Sequence, residues 1–106
     1  MADRPASCGA FTIQPDHPCL PGHFPGNPIV PGVVLLDHAL ALLRAAHPGR
    51  DLSSLRNVRF RRPVRPGQAV AVQIVPGRHG DFDFTGLHGG EIMLSGSARL
   101  EAVHPP

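Results

Sequence analysis

The stretch PGVVLLDHALALLRAAH, residues 31–47, decides the fold. Its apolar and alanine positions fall on nearly every face of a helix. Pro31 suits a first helical position, because the N–H that it lacks would have no partner there, and Pro48-Gly49 ends the helix. Since a helix that is apolar all round is buried on most sides, the rest of the chain is predicted to wrap around it.

The segments that follow the helix alternate between apolar and polar residues, which is typical of half-buried antiparallel strands. The alternation appears around residues 58–60, 70–74 and 82–84 and is clearest over 91–102. One face of that last segment carries Ile92, Leu94, Gly96, Ala98, Leu100 and Ala102. A short first strand is predicted at residues 10–14. The predicted fold is therefore α+β, one long buried helix with an antiparallel sheet curled around it.

Length and composition indicate one domain, residues 1–106, with a modest core. No apolar run approaches the roughly 20 residues that span a bilayer, and residues 1–10 lack the apolar region of a signal peptide. Cys8 and Cys19 are interpreted as free thiols. We therefore expect a cytoplasmic protein without a membrane partner.

The basic residues are all arginine, and five of them lie between residues 56 and 65. The simplest interpretation is a solvated strand face. A nucleic-acid interface is disfavoured, because Phe60 is the sole aromatic residue available for stacking within this run. An acidic protein partner remains a third interpretation.

The proline-rich stretch over residues 15–30 excludes regular structure, and a loop this long in a compact domain is usually functional. His23 lies in it between two Pro-Gly pairs, and a neutral imidazole is a usable base at cellular pH. A metal site built from His17, Cys19 and His23 is disfavoured, because the sequence offers no second pair of ligands.

Two residues of the helix are unusual. Asp37 interrupts an apolar run beyond the first turn. A carboxyl buried there would have a raised pKa, as a general acid requires; the alternative is a solvent-facing stripe with His38 and Arg44. Gly32 leaves the helix start open, so a substrate carbonyl could approach unpaired N–H groups that stabilise an oxyanion. Alternatively, Gly32 is needed only for a tight turn before the helix, and both explanations of this glycine can hold together.

Two segments resemble one family. Residues 22–33, GHFPGNPIVPGV, resemble the signature of the hot-dog-fold β-hydroxyacyl-acyl carrier protein dehydratases, in particular their small-dehydratase branch. Residues 58–67, VRFRRPVRPG, resemble that family's strand after the central helix. The resemblance implies a long helix wrapped by a curved antiparallel sheet. It implies catalytic roles for His23 and Asp37 and substrate-binding roles for Gly32, Val33, Phe24 and Pro25.

The implied reaction removes water from a (3R)-hydroxyacyl thioester on the phosphopantetheine arm of an acyl carrier protein, giving a trans-2-enoyl thioester. The pathway would make fatty acids or polyene pigments, with no metal or redox cofactor. His23 would take the C2 proton, Asp37 would help protonate the departing hydroxyl, and the Gly32 N–H would hold the thioester oxygen.

The resemblance also implies partners. In the family, the histidine and the acid of one site come from different subunits, so a homodimer, a higher homo-oligomer or a heterodimer with a second hot-dog subunit is expected. Acyl carrier proteins are acidic, and an arginine-rich surface would steer their docking. The docking residues would be Arg59, Arg61, Arg62 and Arg65.

Two other functions remain open. A hot-dog thioesterase would use Asp37 to activate water and would release a free acid. A non-catalytic hot-dog subunit of a heterodimeric dehydratase would bind its partner without chemistry of its own, although it would have no use for an acid in the helix.

Overall fold

The computed structural model describes residues 6–17, 28–77 and 80–103. Its elements are β1 (Ala6–Thr12), α1 (Gly32–Ala45), β2 (Arg50–Phe60), β3 (Ala69–Pro76), β4 (Asp81–His88) and β5 (Glu91–Ala102). The strands form one antiparallel sheet in the order β1-β3-β4-β5-β2. The α+β hot-dog class is confirmed, and so are the four strands after the helix.

Helix α1 packs on one face of the sheet through residues at helical spacing. Leu35, Ala39 and Leu43 are buried against Val70 and Val72 of β3, which follow the predicted alternation. Pro31 is the N-cap residue with φ −57° and ψ 141°, so it precedes the first helical residue. The helix is therefore slightly shorter than residues 31–47.

The prediction that α1 is buried on most sides is wrong for the single protomer. Val33, Asp37, Ala41 and Ala45 are all exposed, and their four-residue spacing places them along one outward stripe. A five-stranded sheet covers only one side of a helix, so apolar residues on the other side stay uncovered. Asp37 therefore lies on a solvent-facing stripe, although His38 and Arg44 are half-buried.

The last strand follows the predicted alternation except at its ends and at one bulge. Leu94, Gly96, Ala98 and Leu100 are buried, whereas Ile92 and Ala102 are exposed. Met93, predicted to face outward, is also buried. Leu87 pairs with Ile92 and Gly86 with Leu94, so Met93 is an extra residue that breaks the period of two.

The edge strands differ most from their predicted ranges. Strand β1 begins and ends earlier than residues 10–14, because its ladder to β3 runs from Ala6 to Thr12. Strand β2 begins at Arg50, and its half-buried residues recur every third position, at Leu52, Leu55 and Val58. Two register shifts against β5 insert extra residues into β2. Because of them, β2 lacks the alternation of apolar and polar residues by which a strand is predicted from sequence.

One charged residue is buried in the described part of the chain, and it is Asp81, with 5% of its surface exposed. Arg99 Nε donates to Asp81 Oδ1 at 2.8 Å, and Arg56 Nη2 donates to Oδ2. The hydrogen bond from Arg99, reinforced by that from Arg56, holds the pKa of Asp81 below its usual range, although desolvation opposes this shift. The cluster joins β4, β5 and edge strand β2.

Candidate active site

The first turn of α1 presents unpaired backbone donors. Val34 N and Leu35 N both donate to Pro31 O, at 3.0 and 3.3 Å. Among residues 6–17, 28–77 and 80–103, no acceptor is found for the N–H groups of Gly32 and Val33, and Pro31 supplies no side-chain cap. Such donors at the positive end of a helix favour negative charge on a nearby oxygen.

A groove of about 310 Å³ opens beside this helix start. It is lined by Ile29, Val30, Gly32, Leu35, Phe60, Arg61, Arg62, Pro63 and Val64. A wider depression of about 720 Å³ adjoins it through Arg61, Arg62 and Pro63 and continues to Glu91 and Ile92. The helix start therefore faces a mainly apolar groove whose rim carries two guanidinium groups.

Gly32 packs closely against a wall of the groove that it lines. A Cβ atom at Gly32 would lie 3.0 Å from the ring of Phe60, which is closer than real Cβ contacts normally come. Phe60 itself is 51% exposed and forms one wall of the groove. Both interpretations of this glycine are therefore compatible with the structure, a close packing position and an open approach to the backbone.

Asp37 lies one turn beyond Val33 on the outward stripe of α1. Val33 is 72% exposed and Asp37 is exposed as well. Within the described ranges, Asp37 makes no hydrogen bond or ion pair. The expectation of a buried carboxyl is therefore wrong for one protomer, because the apolar neighbours of Asp37 in sequence lie on other faces of the helix.

His23, Phe24 and Pro25 lie outside the described residues, so their predicted roles stay predictions.

The chain on either side of residues 18–27 is held by backbone hydrogen bonds. On one side Ile13 O accepts from Gly67 N at 2.9 Å, and on the other Val30 N donates to Val64 O at 2.8 Å. Both flanks are thus attached to the connection between β2 and β3, next to the groove.

The predicted docking arginines fall into two groups. Arg62 Nε pairs with Glu91 at 3.1 Å, so part of its charge is compensated. Arg59, Arg61 and Arg65 are exposed, and none has a carboxylate partner within the part of the chain that the structure describes. Arg61 lines the groove at the helix start, the wider depression that adjoins it, and a polar groove beside Asp83 and Ser97.

One residue of the groove was not identified from the sequence. Phe60 was treated only as a strand residue, although its position opposite a glycine at a helix start gives it a wall of the groove. Separately, the alternative interpretation of Asp37 placed His38 on a solvent-facing stripe with it. The ring of His38 instead stacks on Phe11 and lies edge-on to His17.

Among the residues that the structure describes, no three histidine, cysteine, aspartate or glutamate side chains lie close enough together to hold a metal ion. No described helix has the length and apolar character needed to cross a membrane.

The family of this chain is shown by a family model that matches most of its length. The model of the ApeI-like family, described as ApeI dehydratase, matches residues 3–97. The chain belongs to the ApeI-like dehydratase family.

Individual relatives of this ApeI-like chain have dehydratase names. A 3-hydroxyacyl-acyl carrier protein dehydratase, FabZ, of Haemophilus influenzae is 37% identical over 86 residues, covering 71% of this chain and 58% of the relative. FabZ of Syntrophotalea carbinolica is 31% identical, covering 92% of this chain and 74% of the relative. The chain spans less than three fifths of the length of the first of these relatives.

Two solved structures share the fold. The dehydratase heterocomplex ApeI:P from Xenorhabdus doucetiae matches with a TM-score of 0.71 and 22% identity, covering 92% of this chain and 97% of that one. An uncharacterized protein from Erwinia carotovora subsp. atroseptica matches with a TM-score of 0.64 and 25% identity, covering 89% and 81%. These similarities confirm the hot-dog architecture.

Proposed function

We propose that this ApeI-like chain is a (3R)-3-hydroxyacyl-acyl carrier protein dehydratase. The observation that carries the proposal is the unpaired helix start at Gly32, which opens into an apolar groove directly after the GHFPGNP segment. The FabZ names of its relatives support the same reaction. The product would be a trans-2-enoyl thioester and one molecule of water.

Each catalytic role follows from the chemistry of an elimination. The thioester oxygen accepts from the Gly32 N–H, so charge that develops on it as C2 loses its proton is stabilised. His23 takes the C2 proton as general base. The C3–O bond breaks as Asp37 donates a proton to the leaving hydroxyl, and the C2–C3 double bond forms. Loss of water leaves the overall oxidation level of the acyl chain unchanged, so no redox cofactor is needed, and His23 and Asp37 would carry both proton transfers without a metal.

The exposed stripe of α1 supports a site completed by a second protomer. Asp37 faces solvent in a single protomer, whereas a general acid at neutral pH needs a drier environment. A second hot-dog subunit against the stripe would cover both Val33 and Asp37. That subunit is another copy of this chain or a different hot-dog protein. The solved dehydratase with the same fold is titled a heterocomplex.

An acyl carrier protein is the proposed source of the substrate. The groove at Gly32 is lined mainly by apolar side chains, which suits an acyl or pantetheine chain. The exposed guanidinium group of Arg61 lines the groove, and the exposed groups of Arg59 and Arg65 lie close to it in the chain; together they would attract an acidic carrier domain. Arg62 contributes less, because it already pairs with Glu91.

The direct test is incubation of the purified protein with 3-hydroxyacyl carrier proteins of several chain lengths, followed by mass analysis of the bound chain. Loss of one water supports the proposal, and His23→Ala should lower the rate on the order of 100-fold or more. His88→Ala is the matched control, because the only hydrogen bond of that imidazole among the described residues is with Ala69 O, away from the groove. Release of a free acid, or full activity in His23→Ala, would overturn the proposal.

A further inference from the structure

A row of polar side chains crosses the sheet on the face away from α1. The buried residues of β3 pack towards the helix, so the exposed Gln73 between them points to the opposite face. Gln73 pairs with Thr85 on β4. Thr85 pairs in turn with Ser95 on β5, and Ser95 pairs with Arg59 on β2. Because directly paired residues of antiparallel strands share a face, the four side chains form one row.

A polar groove of about 390 Å³ lies along this row. Thr85, Ser95 and Arg59 line it, and Asn57 and Arg61 line it as well. Within residues 6–17, 28–77 and 80–103, none of these five side chains makes a hydrogen bond or an ion pair. The groove therefore offers two hydroxyl groups, one amide and two guanidinium groups whose donors are all available to a ligand.

Asn57 reaches the groove from a strained position in β2. Its φ is 56°, in the left-handed region that few residues other than glycine adopt. The strain lies at a bulge, because Arg56 pairs with Ser97 and Arg59 with Ser95, so that three steps along β2 match two along β5. Bulges re-aim side chains, and strained residues are concentrated at binding sites. This placement favours a binding role for the groove over a plain solvated face.

The charge of the lining indicates which kind of ligand fits. Two guanidinium groups line the groove with one carboxylate, that of Asp83, whose Oδ1 accepts from Ser97 Oγ at 2.7 Å. A lining that is positive and rich in donors favours an oxyanion. Phosphate offers three strong acceptor oxygens, so it can use donors from several strands at once. A groove of about 390 Å³ also has room for an organic group beside the phosphate.

We propose that this polar groove binds the phosphate group of a phosphorylated organic molecule. Arg59 and Arg61 would pair with its negative charge, and the hydroxyls of Thr85 and Ser95 would donate to its oxygens. Arg61 also lines the groove at Gly32, so the phosphodiester of a phosphopantetheine arm is one source of this phosphate. A free phosphorylated small molecule is the other source. Only the first source rests on the proposed function.

Calorimetric titration of the purified protein at constant ionic strength tests the site. The probes are inorganic phosphate, 4′-phosphopantetheine and unphosphorylated pantetheine. We expect saturable binding of phosphate that weakens about 10-fold in Arg59→Gln, because a charge-assisted hydrogen bond is lost. Ser95→Ala should weaken it as well. Arg50→Gln is the matched control, because it removes an exposed guanidinium group at the other end of β2 and should leave binding unchanged.

The probes also separate the two sources. Tighter binding of 4′-phosphopantetheine than of inorganic phosphate or pantetheine supports the carrier arm as the source. Equal binding of the two phosphate probes, with no binding of pantetheine, supports a free phosphorylated molecule. Either result supports a phosphate site.

Two substitutions change the charge of the groove in opposite directions with little change of shape. Aspartate tolerates the left-handed backbone as asparagine does, so Asn57→Asp should fold and should weaken phosphate binding about 10-fold or more. Asp83→Asn should strengthen it. If Asn57→Asp fails to fold, Asn57→Gly, which suits the positive φ, should still bind phosphate more weakly than wild type.

Absence of saturable phosphate binding in the wild-type protein would overturn the inference. Unchanged binding in both Arg59→Gln and the folded variant at Asn57 would overturn it as well. Phosphate binding needs no turnover, so retained dehydration activity in His23→Ala would overturn the proposed function and leave this site standing.

Discussion

Asp37 and Asp81 occupy opposite environments, and neither is the environment that its sequence neighbours indicate. Asp37 stands in an apolar run yet is exposed and unpaired among described residues, whereas Asp81 stands in a polar alternation yet is buried between two arginines. Arg99 and Arg56 are 18 and 25 residues away in the chain. Burial of a carboxylate is therefore decided by the cations that the fold brings to it. Asp81 stabilises the sheet, and Asp37 is available for chemistry.

The largest effect expected from this contrast is a loss of dehydration activity in Asp37→Asn. An amide cannot donate the proton that the leaving hydroxyl needs, so the dehydration rate should fall on the order of 100-fold or more. The fold of the protomer should be kept, because Asp37 makes no hydrogen bond or ion pair within the described part of its own chain. Initial rates and thermal unfolding measure the two effects, and Asp51→Asn is the exposed control. A wild-type rate in Asp37→Asn would remove the acid from the mechanism.

Asp81→Ala should show the reverse pattern, a large loss of stability. The substitution leaves Arg56 and Arg99 without the carboxylate that joins β2, β4 and β5. Asp83→Ala is the matched control on the same strand, because Asp83 is exposed and, among the described residues, its carboxylate accepts only from Ser97 Oγ. Thermal denaturation should give a much larger fall in melting temperature for Asp81→Ala. Equal falls would mean that the cluster stabilises little.

The low pKa of Asp81 predicts acid sensitivity. Its folded-state pKa lies below the ordinary value of 3.8, so the unfolded chain binds the proton more tightly. Its stabilising contribution is therefore complete above that value and is lost as pH falls through the folded-state pKa. Unfolding free energies measured below about pH 4 should depend less steeply on pH in Asp81→Asn than in wild type. Identical slopes would show that Asp81 titrates alike in both states.

A smaller effect is expected at the helix start. In Gly32→Ala the new methyl group meets the Phe60 ring and also narrows the approach to the backbone N–H. We expect the rate to fall about 10-fold, with a modest loss of stability. The double variant with Phe60→Leu should recover stability, because a smaller leucine side chain leaves room for the new methyl group. It should not recover the rate. Recovery of both stability and rate would show that Gly32 is needed only for packing against Phe60.

The sequence was sufficient for the parts of the fold that follow a regular period. Helix α1 and the alternation of β3 were predicted, since 3.6-residue and two-residue periods depend only on nearby residues. The bulge at Met93 and the register shifts of β2 were not, because they depend on the partner strand. In the site, Gly32 was identified and Phe60 was missed, because their contact exists only after the end of β2 meets the start of α1.

The central claim is that His23 of one protomer and Asp37 of its partner share a site, and mixing two inactive variants tests it directly. His23→Ala and Asp37→Ala are unfolded together in equal amounts, refolded and assayed with a 3-hydroxyacyl carrier protein. Random pairing makes half of the dimers mixed, and each mixed dimer holds one intact site of two, so about a quarter of the wild-type rate should return. A mixture as inactive as either variant alone, although dimers form, would contradict the shared site.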